Sequence, residues 1–216
     1  SFWERMILAS DANADLSYTH NGLNQILSVL DGTTPIASPS YDTRGNLTSD
    51  GTHTYGYDYY NRMTSVSGGV LSATLEYDPL GRLLEVDGTD TVQYLHDAGG
   101  RIIAEYDDLG VMEHRYVHGP GLSEPLVEYD GATTLDRTWY IADERGSVIA
   151  HTDDTGARTA TLTYDEYGNP ASGNSGLFQY TGQVWLAEVG VYYLRNRTYH
   201  AELGVRRHES LCLYCR

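Results

Sequence analysis

The sequence contains no lysine, only two cysteines and no long apolar stretch. Because the cysteines, Cys212 and Cys215, lie at the extreme C-terminal end, no disulfide framework holds the body of the chain. No apolar run approaches the roughly 20 residues of a membrane-spanning helix, and no basic patch precedes an apolar stretch. We therefore expect no membrane insertion by this segment. Since Ser1, not Met, begins the sequence, we also expect it to be a piece of a longer chain.

Charge is distributed unevenly along the chain, whose net charge is -16. Residues 1–190 carry 28 acidic residues and 9 arginines, a net charge of -19, whereas residues 191–216 carry 5 arginines and 2 acidic residues, a net charge of +3. Nucleic-acid binding depends on neutralising phosphates with basic groups. An acidic body therefore argues against a nucleic-acid partner.

Tyrosine and glycine are abundant, and they recur in a ten-residue unit. The clearest copy is YDPLGRLLEV from Tyr77. Related copies are YDTRGNLTSD from Tyr41, YDYYNRMTSV from Tyr57 and HDAGGRIIAE from His96, and with a degenerate start at His20 the separations are 21, 16, 20 and 19 residues. Further degenerate copies begin at Tyr106, Thr152 and Tyr164. A period of this length is typical of a repeat architecture.

Each unit has the order of a tight turn between two strands. The aspartate can accept hydrogen bonds from backbone N–H groups two or three residues on, and three residues after it stands Gly or Asn, which best tolerate positive φ. The predicted turn-forming residues are Asp42, Gly45, Asp58, Asn61, Asp78, Gly81, Asp97, Gly100, Asp165 and Gly168. Only 1–9 and 20–30 resemble helix in composition, and both are weak. The pattern predicts an all-β fold of repeated antiparallel hairpins.

Residues that could carry chemistry have simpler interpretations. No segment has the spacing of a calcium loop, and His114 and His118 are about 13 Å apart on a strand, too far to share one metal ion. GNSG around Ser175 lacks the second glycine of a nucleophile elbow, and GPGLSE at 119–124 lacks the lysine of a phosphate loop. CLYC at 212–215 has no second cysteine pair. We therefore expect no cofactor and no metal site.

The units resemble the YD repeats of the Rhs family, which also occur in bacterial wall-associated proteins, the C component of insecticidal Tc toxins and teneurins. The conserved Rhs core that follows such repeats resembles ADERGSV (142–148), YDEYGNPA (164–171), FQYTGQ (178–183) and GVYYLRNRTYHAELG (190–204). The resemblance predicts a YD-repeat array at 1–135, a repeat-associated core at 136–204 and an aberrant tail at 205–216. It implies that the sheet spirals into a shell, which in toxin members encloses a C-terminal toxin polypeptide.

In toxin members of the family an arginine and two aspartates support self-cleavage, and only the arginine has a counterpart here. Arg197 matches it, whereas Ser210 stands where the first aspartate is expected, and the sequence stops before the second. Because aspartyl-type chemistry needs both carboxylates, we expect Arg197 to be vestigial and self-cleavage not to occur. The loss of pattern after Gly204 fits a shifted reading frame or a degenerated end, in which CLYC has no selected function.

Three functions remain open at this point. The first is a non-catalytic section of an Rhs shell, whose partners are the rest of the shell and the enclosed toxin, in a secreted or cell-surface protein. The second is a surface module that binds carbohydrate by stacking sugars on tyrosine rings, and the third is a remnant autoprotease. Because a repeat sheet buries its faces against neighbouring turns of the spiral, we expect marginal stability of this piece in isolation.

Overall fold

A computed structural model describes residues 16–121, 123–195, 197–201, 203 and 205–206. These residues form short antiparallel strands and one 3-10 helix, Tyr180–Gly182. The strands are β1 Leu16–His20, β2 Ile26–Asp31, β3 Thr34–Ala37, β4 Ser40–Tyr41, β5 Leu47–Ser49, β6 Thr54–Tyr57, β7 Met63–Gly68, β8 Leu71–Tyr77, β9 Leu83–Asp87, β10 Thr91–His96, β11 Ile102–Tyr106, β12 Met112–His118, β13 Pro125–Asp130, β14 Arg137–Ala142, β15 Val148–Thr152, β16 Arg158–Thr161, β17 Val184–Leu186, β18 Val191–Tyr193, β19 Thr198–His200 and β20 Val205–Arg206.

The strands form three sheets, and within each sheet every strand pairs with the next one along the chain. β1 to β3 form a small sheet, β4 to β16 form a 13-stranded sheet that we call the hairpin strip, and β17 to β20 form a four-stranded sheet that we call the core sheet. The predicted all-β fold of antiparallel hairpins is confirmed. Among the described residues, no helix is long and apolar enough to cross a membrane.

The two segments with helix-like composition have different outcomes. Residues 20–30 contain the end of β1, a turn and most of β2, so tertiary pairing overrides their weak helical propensity. Residues 1–9 lie outside the described residues. The boundary expected at residue 136 falls between β13 and β14, which are neighbours in the hairpin strip, and the division into repeat array and core remains a prediction.

In several strands that follow a turn, the buried residues are three apart, not two. In β9, Leu83 and Val86 are 0% and 3% exposed, whereas Leu84 between them is 42% exposed. Tyr77 pairs with Leu83 and Glu76 pairs with Glu85, so Leu84 is an extra residue, a β-bulge, on the returning strand. The same insertion recurs at Leu27, Thr48, Thr64, Ile103, Glu113, Leu126, Ile149 and Thr159. In β2, β7, β9 and β15, the bulge lets two residues three apart point to the same buried face.

The core sheet packs on the buried face of the hairpin strip. Val189 and Val191 of the core sheet are fully buried and join Leu83, Val86 and other strip residues in one apolar cluster. A hydrogen bond also holds the core sheet on the strip, because the backbone N–H of Leu83 donates to the Tyr193 hydroxyl at 3.0 Å. The main hydrophobic core therefore lies between the two sheets, and the opposite face of the strip is open.

The first strand, β1, lies near the segment that follows β16, the last strand of the hairpin strip. Ser38 N–H donates to the Asp50 carbonyl at 3.2 Å, which links the small sheet to the strip. Tyr18 of β1 lies within electrostatic reach of Tyr167 and Glu166, which follow β16. Burial first, and these two groups second, raise the pKa of Tyr18. The hairpins therefore curl back towards their own beginning.

Candidate functional site

The predicted turn-forming residues all lie at corners with one shared geometry. At Asp78, one carboxylate oxygen accepts the N–H groups of Leu80 at 2.8 Å and Arg82 at 2.9 Å, two and four residues on. The aspartate was expected to accept N–H groups two or three residues on, but it accepts those two and four residues on. Gly81 follows with φ +81°, and its N–H donates to the Asp78 carbonyl at 2.9 Å. This is a type I turn followed by a left-handed residue.

The same pattern of hydrogen bonds occurs at nine corners of the described chain. They begin at Asn21, Asp42, Asp58, Asp78, Asp97, Asp107, Asp143, Asp153 and Asp165. The left-handed residues are Asn24, Gly45, Asn61, Gly81, Gly100, Gly110, Gly146, Gly156 and Gly168. Asp143 belongs to none of the repeat copies predicted from the sequence, although its spacing to Gly146 is the same as at the other corners.

Arginine has a role in these corners that the sequence pattern alone did not reveal. Arg82 donates from Nε to Asp78 at 2.7 Å within its own corner, and from a terminal nitrogen to the Asp97 carbonyl at 3.3 Å in the next corner. Arg101 repeats this with Asp97 and the Gly119 carbonyl. Burial alone would raise the pKa of Asp78, but the hydrogen bonds from Arg82 and Leu80 outweigh it and lower that pKa. Arginine side chains thus hydrogen-bond one corner to the next loop along the strip.

A buried polar network joins the strip to the core sheet near residue 50. The Tyr55 hydroxyl donates to an Asp50 carboxylate oxygen at 2.6 Å and contacts His200 Nε2 at 2.9 Å. His53 Nδ1 contacts the same oxygen at 3.0 Å. Burial would raise the pKa of Asp50, but the hydrogen bonds from His200, His53 and Tyr55 lower it well below its usual range. Asp50 is therefore a carboxylate that holds β6 against β19.

A second buried network lies under Phe178, which the chain places between the strip and the core sheet. The Tyr116 hydroxyl donates to Glu105 at 2.6 Å, and the Tyr140 hydroxyl donates to Glu128. The Phe178 ring packs edge-on against Tyr116, with centroids 4.9 Å apart. Burial raises the pKa of Glu105, and the hydrogen bond from Tyr116 only partly opposes this. Each of the two carboxyl groups accepts a tyrosine hydroxyl, so both contribute to holding the fold.

The other residues considered from the sequence lie apart from one another. His114 Nδ1 is 3.3 Å from Glu128, whereas His118 Nε2 bonds to the Ile102 carbonyl at 2.7 Å. Ser175 lies in an exposed loop, and residues 119–124 connect β12 to β13. Within the described residues, no group of three or more metal-ligating side chains could hold an ion.

Arg197 lies between β18 and β19, on the side of the strip where Arg62 and the other corner arginines lie. Its carbonyl accepts the Leu194 N–H at 2.7 Å, and its side chain lines a narrow cavity with Arg62, Tyr77, Tyr193 and others. Ser210, Cys212 and Cys215 lie outside the described residues, as does the tail beyond residue 206. The role of Arg197 as a remnant of a self-cleaving site remains a prediction.

The fold is a strip of hairpins whose turns mostly begin with Asp and end with Gly, and a second sheet covers one face of the strip. This fold is that of the class of repeat-built β-shell proteins. No family model matches the chain. It is 31% identical over 197 residues to the tRNA3(Ser)-specific nuclease WapA of Bacillus spizizenii, and 32% identical over 197 residues to the tRNA(Glu)-specific nuclease WapA of Bacillus subtilis subsp. natto. Each match covers 86% of this chain and 8% of the relative.

A solved structure supports the same assignment at the level of the fold. The crystal structure of TcdB2-TccC3-TEV matches 88% of this chain and 14% of that chain, with a TM-score of 0.51 and 14% sequence identity. The chain therefore belongs to the Rhs/YD-repeat family. The chain spans only 8% of the length of these relatives.

Proposed function

We propose that the chain is a non-catalytic section of an Rhs shell wall, and that its core sheet lines the inner face of that wall. The observation that carries this proposal is the packing of the core sheet on the strip, with Val191 fully buried and Tyr193 bonded to the backbone of Leu83. A sheet with one face covered and nine reinforced corners has the properties of a wall. Its polar groups are used to hold the fold.

The wall is proposed to enclose a C-terminal toxin polypeptide. Two relatives are named as tRNA nucleases, but this chain spans 8% of their length. The acidic body, with a net charge of -19 over residues 1–190, is unsuited to binding a polyanion such as tRNA. We therefore assign any nuclease activity to the enclosed polypeptide, and we infer from family resemblance that the whole protein is secreted or displayed at the cell surface.

Protease protection in a chimera tests this function. The matching segment of Bacillus subtilis WapA would be replaced by this chain, and the lifetime of the C-terminal polypeptide under protease would be measured by immunoblot. We expect the polypeptide to survive as it does in the parent. Degradation as fast as in a chimera that lacks the segment would contradict the proposal.

A matched pair of substitutions sharpens the test. Val191→Asp introduces a charge at a fully buried position of the core sheet, whereas Val70→Asp introduces the same charge at a turn tip that is 97% exposed. Burying an unpaired carboxylate costs several kcal/mol. We expect Val191→Asp to open the wall and expose the polypeptide, and Val70→Asp to leave it protected.

Carbohydrate binding is the second candidate, and one feature favours it. Tyr59 and Tyr60 occupy the tip of one corner, are 86% and 73% exposed, and lie edge to face with centroids 5.7 Å apart. Exposed aromatic rings can stack on apolar sugar faces. Glycan-array binding that is lost in Tyr59→Ala and Tyr60→Ala, and kept in the control Leu80→Ala at the next tip, would support this role. An array without binding would count against it.

A further inference from the structure

Histidine ring nitrogens dominate the unpaired polar atoms in the interior. Among the described residues, four buried histidine ring nitrogens have no hydrogen-bond partner. They belong to His96, His118, His151 and His200, whereas His114 Nδ1 lies 3.3 Å from Glu128. Buried polar groups are normally hydrogen-bonded, so a cluster of exceptions of one residue type requires an explanation. A neutral histidine tolerates an unpaired acceptor nitrogen far better than a protonated one tolerates an unpaired N–H.

Three of these histidines lie where the strip meets the segment that leads into the core sheet, a region that we call the seam. His118 of β12 packs edge-on against Phe178, with centroids 5.2 Å apart. Its Nδ1 is the unpaired atom, and its ring lines a small cavity with Gln183 and Arg195 of the core region. Burial first, then Arg101 and Arg195, lower the pKa of His118, against the hydrogen bond to Ile102 and the charge of Asp97.

His96 lies on β10, next to the corner that begins at Asp97. Burial first, and then Arg82, lower the pKa of His96, and Arg195 from the core region acts in the same direction. Asp78 and Asp97 face the ring as well and oppose this shift. A positive charge on His96 would therefore be repelled by Arg195 and by Arg82, which is already paired with Asp78.

His151 is the most enclosed of the three, at 6% exposed. Its ring packs against Tyr140, with centroids 4.9 Å apart, and against the backbone of Gly176, where an added Cβ would lie 3.0 Å from Cε1. Burial lowers the pKa of His151, and Glu128 is the charged group that opposes it. Its Nε2 is buried and has no hydrogen-bond partner among the described residues.

Three other groups in the region behave differently. Burial raises the pKa of Glu105, so its protonation favours the folded seam and acts against the histidines. His200 has Asp50 at 3.4 Å, so a charge on its ring meets a carboxylate. His114 is likewise next to Glu128. The three histidines without such a contact are therefore the sensitive ones.

We propose that the seam is an acid-sensitive contact, in which protonation of His96, His118 and His151 loosens the segment around Phe178 and the core sheet from the hairpin strip. The inference concerns the folded chain itself and goes beyond the proposed shell function. Acidification would weaken the packing of the core sheet on the hairpin strip. A neutral environment would keep the layer docked.

The direction of the effect comes from proton linkage. A histidine whose folded pKa lies below its ordinary value of about 6.5 binds protons more readily once the contact opens. Stability of the contact is therefore complete above about pH 7 and falls as pH drops through the ordinary value. Between pH 7.5 and 5.5, each such histidine raises the opening constant by up to roughly tenfold.

Hydrogen exchange measured by mass spectrometry at pH 7.5 and 5.5, corrected for intrinsic exchange rates, tests the proposal. We expect peptides that cover 176–193 to lose protection at pH 5.5, before the peptides of β7 and β8. The triple variant His96→Gln, His118→Gln, His151→Gln should lose most of this pH dependence. The control His20→Gln, at an exposed position of β1, should keep it.

Three results would overturn the proposal: equal protection of 176–193 at both pH values, an unchanged pH dependence in the triple variant, or simultaneous loss of protection across both sheets. If the triple variant does not fold, an NMR titration of the unmodified chain decides. Ring signals of the three histidines should titrate below about 6.5. Titration at or above that value would refute the mechanism.

Discussion

Two adjacent leucines in the YDPLGRLLEV unit differ sharply in their environment, and replacing each in turn tests the architecture. Leu83 is fully buried beneath the core sheet, with its N–H bonded to Tyr193. Leu84 is the bulge residue and is 42% exposed. The variants Leu83→Ala and Leu84→Ala make the same chemical change one residue apart. A regular strand with Val86 inward would instead bury Leu84.

The expected energies follow from burial. Truncating a fully buried leucine to alanine removes its transfer free energy and leaves a cavity, which costs about 2–5 kcal/mol, and we take about 3 kcal/mol for Leu83. Leu84 loses only part of its side-chain area and leaves no enclosed cavity, so its truncation costs less than about 1 kcal/mol. The predicted difference is therefore at least about 2 kcal/mol.

Urea unfolding of the 216-residue chain, followed by tryptophan fluorescence, measures both free energies. Val148→Ala and Ile149→Ala repeat the comparison at another corner, since Val148 is fully buried and Ile149 is a bulge residue that is 39% exposed. Equal costs at Leu83 and Leu84, or a larger cost at Leu84, would refute the bulge register.

Four further changes test the corners and the buried network. Asp78→Ala removes an acceptor of two backbone N–H groups and of Arg82, and should lower the free energy of unfolding by about 2 kcal/mol in urea, whereas the exposed Asp90→Ala should have little effect. Gly81→Ala places a side chain at φ +81° and should cost about 1–2 kcal/mol; an unchanged urea midpoint would contradict that geometry. Tyr55→Phe leaves Asp50 short of one buried donor and should cost about 2 kcal/mol. Because the pKa of Asp50 is lowered, its stabilisation is present above about pH 4 and lost as pH falls further, and Asp50→Asn should remove that acid dependence of the unfolding free energy.

The local structure of the corners was largely predictable from the sequence. Asp78, Pro79 and Gly81 have strong positional preferences in turns, because hydrogen-bonding reach and φ are properties of single residues. The all-β fold followed from the repetition of those corners. The corner at Asp143 was not predicted, although Gly146 follows Asp143 at the same spacing as in the predicted corners.

The arrangement of the buried face was not predictable in the same way. A bulge at Leu84 depends on which residues pair across two strands, and the run Leu83-Leu84-Glu85-Val86 fits two registers equally well. The contact between Tyr55 and His200 joins residues 145 positions apart, and no local pattern announces it. Sequence periodicity describes neighbours along the chain, whereas the seam is made by tertiary packing.

Electron cryomicroscopy of the complete protein would show directly whether this chain forms part of a shell wall. We expect the hairpin strip to continue into neighbouring turns of a hollow shell, with the core sheet on the inner side of the wall and Tyr193 against Leu83. A compact module tethered outside any shell, or a core sheet on the outer side, would contradict it.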